Sequence, residues 1–401
     1  MSTTLTRARS GERSGDRRDN GARRRRGPTG RRGVTAAGWG MFLALAFLVT
    51  VFNLLGLVMV MSASSVVALD EYGSSWHFVS RQAAWAGAGA IALVLLARAD
   101  YHRWRRLASP LLVLSLVLLV AALVPGVGVS ANGASRWIGL GPLTFQPAEL
   151  AKLALVVWVA DLLARRASRM RNTRATLRPV IVVLAVMATL LMLQPNLGTT
   201  LVLVAVALAL CYVAGAPLGP LARWSVASLG AAVTLALAAP YRRARVFTFL
   251  DPWADPLDTG YQGIQALVGL ADGGLAGTGL GASRAKWGFL PYAHTDFIFA
   301  IVGEELGLVG ATVVVGLFVL LLILGIRVAL HAPDRFGFLL AVGVTAWFGM
   351  QAFVNIGAVI GILPITGVPL PFVSAGGSSL LFSMAAAGLL LAVARQARAR
   401  R

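Results

Sequence analysis

Few ionisable side chains interrupt the long apolar stretches of this chain, and their types and spacing define the chemistry open to it. His294-Thr295-Asp296 stands directly before the apolar run Phe297–Val302. A carboxylate at that boundary can take a proton or hold a metal; alternatively, Asp296 or Thr295 would make a good N-cap for the helix that follows. Glu149 and Lys152 come just after Pro147 at i and i+3, so a helix puts them on one face of its first turns, with Glu149 complementing the helix dipole. Either they form an ion pair at the membrane interface, or Lys152, one of two lysines against 34 arginines, faces an inner cavity and holds a phosphate. Pro369–Ser379 opens the last apolar run with hydroxyls, Ser378 among them, and backbone amides that suit either a phosphate or tight helix packing. Glu304 and Glu305 are adjacent and so point to different faces.

The elements that must position these groups follow from composition. The 401 residues are 57% hydrophobic and only 13% charged, with a mean hydropathy of +0.76, whereas a soluble domain averages about 25% charged residues. An ordinary cytosolic enzyme is excluded, as is a collagen-like repeat, and the single Cys211 excludes a disulfide framework or a cysteine metal site. Apolar runs of about 20 residues predict ten helices, near 38–62, 78–97, 109–126, 147–164, 180–194, 198–215, 223–240, 297–326, 337–361 and 377–394. Gln194-Pro195-Asn196-Leu197-Gly198 is the turn between the fifth and sixth. The fold class is therefore an all-α polytopic membrane protein.

The net charge of +20 is concentrated, not spread. Residues 1–36 hold 11 arginines and three acids, a composition that predicts a disordered tail that contacts anionic membrane lipid, without a nucleic-acid role. Taking alternate loops, 28 of the 36 basic residues fall on one side, which places both termini in the cytoplasm. The domain reading is a tail at 1–36, a ten-helix membrane domain at 37–396 and a short basic tail at 397–401. Seven cations break the bias: Arg81, Arg136, Arg242, Arg243, Arg245, Arg284 and Lys286. Five of these lie in a long connection, residues 241–296, read as an exoplasmic loop between the seventh and eighth helices. Such a cluster suits an anionic substrate, or else pairs with Asp251, Asp255, Asp258 and Asp272. His77, His102 and His331 are scattered and support no metal triad.

Several ordered motifs bear a closer resemblance. Met61–Ser65, Arg136–Pro142, Phe145-Gln-Pro-Ala-Glu-Leu-Ala-Lys152, Gln194–Thr199, Asp251-Pro-Trp253, Gly260-Tyr-Gln262, Leu290–Phe297, Gly303-Glu-Glu-Leu-Gly307 and Pro369–Ser379 are similar to segments of the SEDS (shape, elongation, division and sporulation) family of peptidoglycan polymerases. The resemblance covers residues 40–392, and Gly279–Gly288 is more like the division-type branch, FtsW, than the elongation-type branch, RodA. It implies a glycosyltransferase that polymerises lipid II into β-1,4 glycan at the outer face of the bacterial cytoplasmic membrane, at the division septum. By resemblance the catalytic carboxylate is Asp296, acting as general base, and Glu149, Lys152, Arg81 and the Gln194–Gly198 turn are polar cavity residues. Two departures stand out: Asn196 occupies a position where the family commonly has Asp, and Tyr292 one where it often has Glu.

The chemistry so implied is a single inverting displacement. Cations drawn from Lys152, Arg242, Arg243, Arg245 and Lys286 would hold the pyrophosphate leaving group, with His294, Thr295 and Ser378 as further contacts and Mg2+ or Mn2+ as a candidate cofactor. The implied partners are a class B penicillin-binding protein (a transpeptidase) and other divisome membrane proteins. Two rival readings are a lipid II flippase and a non-catalytic divisome scaffold. Against the flippase, no internal repeat is visible and the polar groups crowd one face.

Overall fold

The computed structural model describes residues 36–131, 134–140, 143–238 and 240–397. The arginine-rich tail, up to residue 35, and the last residues, 398–401, lie outside the described residues. Helices α1 (Ala36–Tyr72), α2 (His77–Arg98) and α3 (Arg103–Ala121) lead into an antiparallel sheet in the order β1 (Gly128–Ala131), β2 (Ala134–Leu140), β3 (Leu143–Phe145). Next come α4 (Pro147–Arg165), α5 (Thr173–Leu193), α6 (Leu197–Val213) and α7 (Leu218–Ala238). The chain continues through α8 (Pro240–Leu250), α9 (Tyr261–Asp272), α10 (Ile298–Leu330), α11 (Arg335–Val359) and α12 (Gly377–Arg395).

Eight of these helices are long and apolar enough to cross a bilayer. The ten-helix expectation is completed by α4, whose 19 residues include Glu149, Lys152, Asp161 and Arg165, and by α6 with 17 residues. Helices are the form in which a segment satisfies its own backbone inside lipid. The apolar residues accordingly face both ways. Val113, Val117 and Val120 on α3 and Val226, Leu229 and Val233 on α7 are exposed on the bundle surface, where lipid lies. Interior positions on α4, α11 and α12 are filled to near-zero exposure, around Trp347, Phe348 and Phe52. Lipid is as apolar as the core, so close packing, not exclusion of water, holds these helices together.

The structure departs from the sequence expectation in three places. The stretch between α3 and α4 forms the three-stranded sheet, with Gly128 opposite Ile138 and Ile138 opposite Phe145. The 241–296 connection carries α8 and α9, so it is not a simple loop. Helix α1 runs ten residues beyond the expected end, to Tyr72. Helix α10 breaks at Gly307, where φ is +68° and a Cβ would stand 2.3 Å from the Gly277 nitrogen. Only glycine meets both demands.

Candidate functional site

The carbonyls of His294, Thr295 and Asp296 are each taken by a donor from elsewhere in the fold. Ala375 N donates to His294 O at 2.9 Å, Ser374 Oγ to Thr295 O at 2.6 Å and Asn355 Nδ2 to Asp296 O at 2.8 Å. Asn355 Nδ2 also reaches Val368 O at 2.8 Å, and Gln82 of α2 donates to Ser374 O. The three residues are thus strapped to α11 and to the segment before α12. The N-cap position of α10 is Phe297, and no side chain caps it; Thr295 Oγ1 instead donates to Tyr292 O at 3.2 Å. The capping alternative for Asp296 and Thr295 therefore does not hold.

Burial pushes the Asp296 carboxyl up to about 6, against the opposing pull of the Arg245 and then the Arg136 guanidinium. Arg245 on α8 donates to Ile365 O at 3.3 Å. Arg136 on β2 donates from Nε to Gln194 O at 2.9 Å and from Nη2 to Pro195 O at 2.5 Å. That turn packs in its turn on the Asp296 surroundings. A Cβ on Gly198 would stand 2.5 Å from Val368 Cγ2, and one on Gly367 would stand 3.4 Å from Asp296 Oδ2. Asp296, Asn355, Ile365, Thr366 and Gly367 border a cavity of about 10 Å³, the room of about one water. The Asn355 Oδ1, Thr366 Oγ1 and Gln194 Oε1 acceptors are buried with no hydrogen-bond partner among the described residues. Asn196 serves as the N-cap of α6, accepting from Thr199 N at 3.3 Å. His294 lies 4.6 Å from the Phe78 ring, and burial pulls its imidazole down to about 4, so it is neutral near pH 7.

The other expected cations are placed differently. Lys152 is 2% exposed. Its ammonium lies 2.9 Å from Glu149 Oε2, donates to Gln351 Oε1 at 2.7 Å and sits 5.0 Å from the Trp347 ring centroid. Trp347 Nε1 shares that Gln351 oxygen, and Gln351 Nε2 donates to Pro369 O. Of the two readings of Lys152, the structure shows the ion pair with Glu149, buried in the core and not at the interface. Lys286 is likewise buried, donating to Gly281 O and lying 3.9 Å from Glu305 Oε1. Ser378 joins α12 to the start of α4, accepting from Gln146 N at 3.0 Å. Arg81 and Arg243 are exposed, and the side chain of Arg242 lies outside the described residues. Asp251 and Asp255 hold local turns: Asp251 accepts from Trp253 N and Asp255 from the backbone and hydroxyl of Thr259.

Glu304 and Glu305 form a separate buried knot. Glu304 accepts from Ser283 Oγ at 2.5 Å and Arg284 N at 2.6 Å, and Glu305 Oε1 accepts from Ser62 Oγ of α1 at 2.6 Å. The knot ties the 277–286 segment and α1 to α10.

A family profile described as "Cell cycle protein" and named for FtsW, RodA and SpoVE matches residues 42–399. The chain belongs to the FtsW/RodA/SpoVE family. It is 42% identical to the stage V sporulation protein E of Bacillus subtilis over 356 residues, 89% of this chain and 97% of that one. It is 41% identical to the probable peptidoglycan glycosyltransferase FtsW of Geobacter metallireducens, over 88% of this chain and 93% of the relative. Among solved structures, it is similar to a chain from a study of how a peptidoglycan synthase complex coordinates polymerization and crosslinking, with a TM-score of 0.71 at 33% identity, covering 90% of this chain and 98% of that one. It is also similar to the rod shape determining protein RodA of Thermus thermophilus, with a TM-score of 0.65 at 32% identity, covering 91% and 99%.

Reading the FtsW/RodA/SpoVE chain by sequence missed Arg136, Gln351 and Asn355 as parts of the site. Arg136 is visible as a cation on the unexpected side, but its aim depends on the sheet. The signal for that sheet is the Asn132-Gly133 dipeptide between β1 and β2. Trp347, Gln351 and Asn355 recur at i, i+4 and i+8, one polar-tipped stripe on an otherwise apolar helix. An Mg2+ or Mn2+ ion needs several hard oxygen ligands. Among the described residues no three His, Cys, Asp or Glu side chains gather, and the charges acting on Asp296 are guanidinium groups. Asp296 is the one acidic side chain lining its cavity, so a divalent cation there would draw most of its ligands from substrate phosphate and water.

Proposed function

We propose that this protein is a peptidoglycan glycosyltransferase that polymerises lipid II at the outer face of the cytoplasmic membrane, in septal wall synthesis, with Asp296 as general base. The observation that carries the reading is the Asp296 carboxyl itself: fixed by its backbone, raised to about 6 by burial, and set between two arginines. A carboxylate with a raised pKa is the stronger base and is still ionised near pH 7. It would take the proton from the acceptor sugar 4-hydroxyl as the α-linked donor is displaced with inversion. Arg136 and Arg245 replace Lys152 and Lys286 as the cations closest to this chemistry. An arriving pyrophosphate would engage their charge, stabilise the leaving group and release Asp296 from their acidifying pull. The unpartnered oxygens of Gln194, Asn355 and Thr366 suit the hydroxyl and amide donors of an amino sugar.

The lipid part of such a substrate also has a place. An apolar groove of about 570 Å³ runs between α5, α6, α7 and α11, lined by Leu184, Ala188, Leu201, Leu208, Val354 and Thr366. Thr366 borders both this groove and the Asp296 cavity, so a lipid chain and its sugar headgroup would meet at one short segment. The partner that cross-links the product is, on this reading, a class B penicillin-binding protein, with other divisome membrane proteins around it.

The test is polymerisation of lipid II by the purified protein, with and without its cognate penicillin-binding protein, for wild type and Asp296→Asn. Glycan strands from wild type and none from an equally stable variant are expected. Equal product from both would remove Asp296 as the base; no product from either, with the partner present, would overturn the enzyme reading.

A further inference from the structure

A second polar site lies at the start of α5. Arg166, Arg169, Arg174 and Arg178 line one cavity of about 540 Å³ together with Pro179 and Val182. Arg174, Arg178 and Val182 follow at i, i+4 and i+8, so one helix face passes from charge to hydrocarbon within two turns. The same face continues at Val186 and, further on, Leu193, both exposed on the bundle surface. Arg166 donates to Ala175 O and so braces the wall of the cavity. Arg169, Arg174 and Arg178 are exposed and belong to no ion pair among the described residues.

No acid neutralises this cluster locally. The sequence contains no Asp or Glu between Asp161 and Asp251. Asp161 is already engaged, by Arg105 of α3 at 3.0 Å and by Arg165. Four guanidinium groups around a cavity, over an apolar stripe on a membrane-spanning helix, match a molecule with a phosphate head and a hydrocarbon tail. A lone surface charge would lack both the concavity and the stripe. The bias of basic residues assigns this end of α5 to the inner leaflet, where anionic phospholipids provide that chemistry.

We propose that the cavity formed by Arg166, Arg169, Arg174 and Arg178 binds the phosphate headgroup of an anionic phospholipid whose acyl chain lies along Val182 and Val186. Guanidinium groups meet phosphate oxygens bidentately, which a lysine-coated surface would not do. The site is independent of the reading of Asp296 and of the reaction assigned to it.

The experiment is native mass spectrometry of the full-length protein released from nanodiscs of phosphatidylglycerol mixed with phosphatidylcholine, scoring retained lipid. Wild type is expected to retain phosphatidylglycerol selectively. Arg174→Gln with Arg178→Gln should lower that retention more than ten-fold, since each charge-assisted hydrogen bond from guanidinium to phosphate is worth roughly ten-fold or more. The control pair Arg103→Gln with Arg106→Gln removes the same charge from α3, outside the cavity, and should leave retention close to wild type. Arg169→Gln, on the short turn before α5, supplies a second variant if the helix pair lowers the melting temperature. Equal loss in the control pair, or equal retention of phosphatidylcholine, would overturn the proposal by reducing it to general surface charge. Competition by glycerol phosphate at the same concentration as lipid would overturn the acyl-chain part and leave a free-phosphate site.

Discussion

Asp296 and Glu304 are separated by one helical stretch of chain, and the fold treats their carboxyl groups in opposite ways. Glu304 is saturated: a hydroxyl and the backbone N–H groups of Arg284 and Ala285 converge on it, deep between α10 and the segment it anchors. At Asp296 it is the backbone carbonyl that is anchored, while the carboxyl lies at the wall of a small cavity, under the field of two arginines. The Glu149–Lys152 pair resembles Glu304, being closed on itself and on Gln351. The lesson is that an ionisable group whose polar atoms are all used locally acts in holding the structure. A group whose backbone is fixed and whose head is not is available for chemistry.

The sharpest way to break this comparison is to neutralise each carboxyl without changing its shape. Asp296→Asn should cost roughly 10²–10⁴-fold in polymerisation rate while its melting temperature at pH 7.5 stays the same or rises. The sign follows from the raised pKa: ionising Asp296 in the folded protein costs stability as pH climbs through about 6, and asparagine escapes that cost. The stability gap between wild type and variant should therefore close below about pH 4. Lys152→Met should do the reverse of a catalytic change. Leaving Glu149 charged and unpaired in the core costs about 3–5 kcal/mol, read as a large loss of folded protein in a thermal or denaturant series. A full-length, equally stable Lys152→Met protein that makes no glycan would move Lys152 back into the reaction.

Glu304→Gln should be milder, about 1–3 kcal/mol, because one charged acceptor becomes a neutral one that still meets part of its donors. Its signature is loosening of the 277–286 segment in hydrogen exchange, with turnover per folded molecule little changed. Smallest is the pH effect. Polymerisation by wild type should fall on an acidic limb centred near 6, about ten-fold for each unit below it, since the base must be ionised. Arg136→Gln should move that limb upward, because one of the charges favouring the ionised form is gone. A flat profile from pH 5 to 8 would contradict the assignment of Asp296 as base.

The helices were legible in sequence because their signal is long and redundant; twenty apolar residues admit few readings. At Asp296 the neighbouring residues left a helix cap and a reacting carboxylate both open, and only the family resemblance favoured the second. What escaped was everything that depends on distant pairing. For Lys152 the pairing with Glu149 is in view at i−3, but Gln351 and Trp347, which enclose the pair, are on another helix. Lys286 looks like an exposed loop cation, and only the fold brings Glu305 beside it. The sheet between α3 and α4 is short and glycine-rich, with too little alternation to compete with the apolar runs on either side. Arg136 was seen as a charge on an unexpected side, but its grip on the Gln194–Pro195 turn could not be seen without β2.

The buried pair on α4 has a consequence for how the chain is made. Helix α4 is the interior helix with the poorest claim to the bilayer on its own, carrying two acids and two bases in 19 residues. It emerges from the ribosome long before Trp347 and Gln351, which later enclose its lysine. Until then the neighbour able to help is α3, already made, whose Arg105 takes Asp161 of α4. Helices α3 and α4 should therefore enter the membrane as one hairpin, and a chain stalled before α11 would hold an unfinished charge pair in lipid.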